Sequence, residues 1–158
     1  MIEEDNLIRL ALARPAFGLD VDLSLPARGI TVLFGPSGSG KTTLLRCIAG
    51  LDRAKNALIR ISGQVWQDDQ RDVFLPPWRR PLGYVFQEAS LFDHLDVSGN
   101  LQYAQRRSGG CEPGNSLEAV IELLGIGALL KHHTHQLSGG ARQRVAIARS
   151  LANQPRLL

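Results

Sequence analysis

Residues 30–50 read ITVLFGPSGSGKTTLLRCIAG. An unbroken apolar run, Ile30 to Phe34, passes directly into a glycine-rich turn. A short continuous apolar run suits a strand covered on both faces, so 30–34 is expected to be buried strand. The residues after the turn, LLRCIAG, have helical character, and Gly50 stands where a C-capping glycine belongs. Strand, glycine loop and helix in that order set the frame for the rest of the chain.

Within the loop, Gly35-Pro36-Ser37-Gly38-Ser39-Gly40-Lys41-Thr42 satisfies the pattern G-x-x-x-x-G-K-[ST]. Each residue type has a task. Glycines let the backbone curl so that successive N–H groups point inward at phosphate oxygens. The helix starting near Lys41 turns its positive dipole end to the same anion. Lys41 supplies a point charge for β- and γ-phosphates, and the Thr42 hydroxyl can ligate Mg²⁺. A glycine-rich turn matching by accident would not need to fall between a strand and a helix.

Outward from this motif, residues 19–25, LDVDLSL, alternate strictly between apolar and polar, which predicts a half-exposed, antiparallel strand. LIRISGQVW at 58–66 also alternates, and LGYVF at 82–86 is a second candidate buried strand. LPPWRRP at 75–81 is irregular, and from Val97 onward the pattern becomes helical. Asn115 with Glu118 resembles a helix-capping arrangement, and SGGCEPGN at 108–115 reads as a flexible loop.

Size and composition restrict the class. At 158 residues the chain is one domain by length, able to bury roughly 70% of its unfolded surface. With 44% hydrophobic and 21% charged residues it is ordinary globular material. The net charge of +3 is dispersed, without the basic stripe that a nucleic-acid partner requires. Cys47 and Cys111 lack metal-ligand spacing and fit two thiols in a reducing compartment. The acidic start, Glu3-Glu4-Asp5, is unlike a signal peptide, and no apolar run is long enough to span a bilayer.

A second glycine-rich helix start follows. Leu137-Ser138-Gly139-Gly140 precedes ARQRVAIARSLA, with Val145, Ala148 and Leu151 on one face. Alone, this is a serine-capped helix. Together with the first loop, two anion-binding helix ends in one chain suggest a nucleotide held between two copies, one end from each.

Together these residues resemble the ATP-binding subunit of ABC transporters, over nearly the whole chain. GPSGSGKTTLL resembles its Walker A motif, YVFQEASLF its Q-loop, and LSGGARQRVAIARSL its signature motif. The stretch LPPWRRPLGYVFQEASLFDHLDVSGNLQYA is similar to that of molybdate importers, although sulfate, iron and sugar importers share much of it. The implied fold is α/β, a P-loop NTPase core with an antiparallel β subdomain and an inserted helical subdomain. Its parts would be the nucleotide-binding core with the β subdomain at 1–87, the helical subdomain at 88–136, and the signature segment at 137–158.

The resemblance implies ATP and Mg²⁺ as cofactors and a set of site residues. Gly35, Pro36, Ser37, Gly38, Ser39, Gly40, Lys41, Thr42 and Thr43 would hold the phosphates. Lys41 and Gln87 would act in hydrolysis, and Thr42 and Gln87 would reach the metal. Ser138, Gly139 and Gly140 would meet the γ-phosphate of a partner copy in an ATP-sandwich homodimer. Phe17 is either the aromatic that stacks on adenine or an ordinary strand-edge phenylalanine. Other implied partners are transmembrane permease subunits, docked through 88–136, and indirectly a substrate-binding protein. This places the chain peripherally on the cytoplasmic face of the cell membrane.

Two residues depart from the family pattern. Ala141 stands where a glutamine or glutamate is usual, which implies a weaker contact to the partner's nucleotide. Asp93 replaces a proline near the expected permease contact. His132, His133 and His135 read as a solvated loop orienting the signature helix in preference to a metal site. The sequence stops at Leu158, before the family's Walker B aspartate and glutamate, and so reads as C-terminally truncated. Crippled hydrolysis and marginal stability are the expectations that follow. The alternatives are a nucleotide-binding module that does not hydrolyse ATP, or a non-transport ABC ATPase, against which LFDHLDVSGNL argues.

Overall fold

A computed structural model describes residues 6–14, 17–107 and 117–158. The capping arrangement at Asn115, the loop 108–115 and Cys111 lie outside the described residues. The chain divides into two compact units, Met1–Arg80 and Pro81–Leu158.

The first unit is built on an antiparallel sheet with strand order β2-β1-β3-β4-β5. Its members are β1 (Asn6–Arg14), β2 (Phe17–Leu25), β3 (Lys55–Ile61), β4 (Gln64–Asp68) and β5 (Val73–Phe74). The alternation read at 19–25 is realised in β2, whose residues are by turns half-buried and exposed. In β1, Ile8 and Leu10 are buried, and Ile8 pairs with the buried Ile59 of β3. The alternating stretch 58–66 is strand on both sides of a turn, running from β3 into β4. Ser62 (φ 47°) and Gly63 (φ 76°) both take positive φ, the two-residue turn geometry that joins twisted antiparallel strands.

Helix α1 (Lys41–Ala49) buries Leu44, Cys47 and Ile48, the i, i+3, i+4 face of its amphipathic pattern. Gly50 ends it with φ 76°, its N–H donating back to Cys47 O, so the expected glycine cap is present. A Cβ at Gly50 would lie 2.6 Å from Arg80 Cζ, so the glycine also admits that guanidinium. Arg80 is 4% exposed. It donates to the carbonyls of Cys47 (3.1 Å), Ile48 (2.5 Å) and Leu75 (2.7 Å), tying the end of α1 to the segment after β5. The rings of Trp66 and Phe74 face it at 5.7 and 5.1 Å. Burial pushes its pKa down to about 10, with Cys47 opposing, so the group stays charged at neutral pH.

Two expected strands do not form. Residues 30–34 carry no strand, and Ile30, Val32 and Phe34 are 95%, 77% and 99% exposed. At 82–86 only Leu82 makes a bridge, parallel, to Leu157. There Gly83 N–H donates to Leu157 O and Arg156 N–H to Pro81 O, both at 2.8 Å. Apolar composition alone cannot make a strand, because backbone groups must also find a ladder partner. Among the described residues 30–34 has none, and 82–86 has a single rung.

In the second unit, α2 (Val97–Arg107), α3 (Leu117–Leu123) and α4 (Gly139–Leu151) surround one apolar cluster. Val97, Leu101, Val120, Ile126, Leu137, Ala141, Val145 and Ala148 form it, with Leu151 packed against it. The face read on the last helix is therefore the buried one. Ala141 belongs to this cluster, so the small side chain at the departing signature position points inward. No helix among the described residues is long and apolar enough to cross a membrane.

Candidate phosphate-binding site

The loop between residue 34 and α1 is a string of tight conformations. Gly35, Gly38 and Gly40 have φ of 155°, 83° and 92°, and all three open the curl without a Cβ. Ser39 N–H donates to Pro36 O (3.3 Å) and Leu44 N–H to Gly40 O (2.8 Å), so the loop merges directly into α1. Gly40 is the N-cap of α1, and no side chain caps it. The first N–H groups of this helix therefore remain available to an external anion.

Lys41 folds back over the loop. Its ammonium donates to Gly35 O (2.8 Å) and Pro36 O (2.7 Å), with Ser39 Oγ at 3.3 Å. The cation thus spans the concavity of the loop, held by acceptors that an anion could replace. Ser37 and Thr42 are exposed, and Thr43 is half-buried.

Phe17 is placed beside this loop by β2. A Cβ at Gly40 would lie 2.6 Å from Phe17 Cζ and 3.1 Å from Leu19 Cδ1. The glycine is demanded twice, by its positive φ and by the ring against it. Of the residues expected to hold phosphates and base, the first unit therefore brings together Phe17 and Gly35–Thr43.

The remaining candidates lie in the second unit. Gln87 is exposed in a bend beyond the Tyr84–Phe86 ring pair, whose centroids are 4.6 Å apart. Ser138 caps α4, its Oγ accepting from Ala141 N–H at 3.2 Å. Gly139 and Gly140 are exposed in the first turn, with open space where side chains would stand. Ser138, Gly139 and Gly140 thus present a second glycine-rich helix start to solvent, capped by the serine where α1 has no side-chain cap.

Around it, His133 and His135 stack with ring centroids 5.6 Å apart, and Gln136 Oε1 accepts from His133 N–H at 2.7 Å. Asp93, read as a surface substitution, accepts from the buried Thr134 hydroxyl at 2.9 Å. It therefore joins its own loop to the loop before Ser138. Sequence reasoning missed this contact, and also missed the role of Arg80, because neither follows from local spacing.

Comparison with known proteins agrees with the motifs. A family profile described as ABC transporter matches residues 19–158. The chain is 61% identical over 150 residues to the molybdenum import ATP-binding protein ModC of Thiobacillus denitrificans, covering 95% of this chain and 41% of that one. It is 61% identical over 142 residues to the molybdenum import ATP-binding protein ModC 1 of Azotobacter vinelandii, covering 90% and 39%. It spans about two fifths of the length of the curated relatives it matches. Among solved structures, a dimeric ATP-binding cassette in a post-hydrolysis state with ADP and Pi superposes with a TM-score of 0.70. That likeness covers 96% of this chain and 70% of the other, at 28% identity.

Proposed function

The chain belongs to the ABC transporter family, and from that premise we propose that it is the ATP-binding portion of a subunit that hydrolyses ATP to power a molybdate importer. The observation that carries this reading is the loop 35–40, curled by glycines and spanned by the Lys41 ammonium. The relatives named as molybdenum import proteins support the choice of molybdate over sulfate, iron or sugars.

In this reading the amides of Gly35–Thr43 cradle the phosphates, and Lys41 exchanges Gly35 and Pro36 oxygens for β- and γ-phosphate oxygens. Phe17 stacks on adenine. Thr42 and Gln87 offer hydroxyl and carboxamide oxygens, hard donors that suit Mg²⁺. That ion, when bound, neutralises charge developing on the phosphates. Gln87 also orients the attacking water. Ser138, Gly139 and Gly140 bind the γ-phosphate of a second copy, and the dimeric state of the similar cassette supports the pairing of two copies. Residues 88–136 dock on transmembrane permease subunits fed by a substrate-binding protein, which sets the protein on the cytoplasmic face of the membrane.

Calorimetric titration of the full-length protein with ATP and Mg²⁺ tests the first step. Saturable binding, followed by phosphate release that molybdate stimulates in the assembled transporter, is the expected outcome. Absence of ATP binding would refute the reading. Binding without hydrolysis would favour a non-hydrolysing module, and stimulation by sulfate in preference would reassign the cargo.

A further inference from the structure

We propose that Trp78 and Arg79 form a lipid-facing anchor, an indole and a guanidinium that the first unit holds out to the headgroup layer of an anionic bilayer. This goes beyond the function proposed above, where residues 88–136 meet the permease, and it involves no nucleotide.

The chain has two tryptophans, and they are opposites. Trp66 is 0% exposed, its indole N–H donating to Gln64 Oε1 at 3.3 Å. Trp78 is 83% exposed, and among the described residues its ring meets no other ring and its N–H no acceptor. Yet the backbone under it is tightly held. Trp78 is the middle residue of a 3₁₀ turn, Pro77–Arg79. Pro76 and Pro77 fix their own φ angles, and the N–H groups of Arg79 and Arg80 close the turn on Pro76 O (2.9 Å) and Pro77 O (3.1 Å). The buried Arg80 then roots the turn in the carbonyls of Leu75 and Ile48. An exposed indole on so fixed a backbone loses little freedom on binding.

The charge beside it selects the partner. Arg79 is exposed, and among the described residues its side chain has no hydrogen bond or ion pair. No acidic residue occurs from Val73 to Pro81, whereas Arg53 and Arg71 are already paired with Asp69 and Asp68. An unpaired guanidinium next to an exposed indole matches the bilayer interface, where the ring takes the headgroup level and the cation takes lipid phosphate. An extended acidic peptide fits the place less well. β5, the last strand in the sheet order, offers a ladder of two residues, and Pro76 and Pro77 have no N–H with which to lengthen it. One such pair binds weakly by itself, but on a protein already held at a membrane it acts at high effective concentration and orients the first unit.

The test uses the detached full-length protein with vesicles of phosphatidylglycerol and phosphatidylcholine, or of phosphatidylcholine alone, read by co-sedimentation and tryptophan emission. Subtracting the spectrum of Trp78→Phe isolates Trp78, whose emission should shift to the blue on the anionic vesicles and be quenched by brominated acyl chains. Trp78→Ser should weaken sedimentation about tenfold and Arg79→Gln about fivefold, as for one interfacial aromatic and one cation near an anionic surface. Lys55→Gln, which removes another exposed charge of the same unit, should bind like wild type. All of these variants should melt like wild type, because the exchanged side chains are exposed. Equal weakening by Lys55→Gln, or an unshifted Trp78 on vesicles that the protein does bind, would mean diffuse attraction to a basic surface and overturn the anchor. Equal binding to phosphatidylcholine alone would overturn it too. Absence of vesicle binding, with the Trp78 shift produced instead by an acidic peptide or the permease, would overturn it in favour of a protein partner. None of these readouts involves ATP, so the anchor stands or falls apart from the function proposed above.

Discussion

Arg80→Met should lower the stability of the first unit by about 3 kcal/mol, the sum of buried acceptors left without donors at about 1–3 kcal/mol each, less the relief of removing a desolvated charge. The carbonyls of Ile48 and Leu75 lose their donor, and that of Cys47 keeps only the N–H of Gly50. The stacking over Trp66 and Phe74 goes as well. For a chain of this size the melting temperature should fall by about 10 °C. Arg80→Lys should recover part of the loss, since an ammonium cannot serve three carbonyls from one plane. Arg79→Met, at an exposed neighbour, should stay within about 0.5 kcal/mol of wild type. Fluorescence of the buried Trp66 is the local probe. If Arg80→Met melted like wild type, the guanidinium would not be what holds the end of α1.

Lys41→Met should weaken ATP binding by at least about a hundredfold, because charge-assisted hydrogen bonds contribute about 1.5–3 kcal/mol each and Lys41 is placed to make more than one. The same substitution releases Gly35 and Pro36 from their shared cation, so the loop loses its internal clasp. Stability should change little, since both carbonyls lie at a part-exposed surface and water can replace the ammonium. Equilibrium titration with ATP beside a melting curve separates the two effects. Affinity within threefold of wild type would remove Lys41 from the phosphate site.

Local chemistry explains which features could be read ahead. The loop at 35–42, the glycine cap at 50, the serine cap at 138 and the alternation of β2 are written in neighbouring residues, and each appears where its spacing puts it. The failures share one cause. Ile30–Phe34 and 82–86 have the composition of buried strands, but a strand is a relation between segments, and the partner is not legible in the run itself. β1 also alternates, through Ile8, Leu10 and Leu12, but alternation does not name the two strands that pair with it. Arg80, Asp93 and Arg149 are charged residues that no local motif marks. Each is engaged by groups distant in sequence, and nothing in a residue's immediate neighbours signals that.

The strand order has a consequence in time. β1 pairs with β2 as a hairpin and β3 pairs with β4 across a two-residue turn, so both need only short closures. The join between them, with Leu7 beside Arg60, must enclose everything from the end of β2 to the start of β3, including the phosphate loop and α1. Closing a long loop costs entropy before its contacts repay it, so this join should come last among the pairings of the sheet. The loop is then shaped only as the sheet shuts around it, and nucleotide meets a finished cradle and does not template one. Pulsed hydrogen exchange that found Leu44 protected ahead of Ile59 would reverse that order.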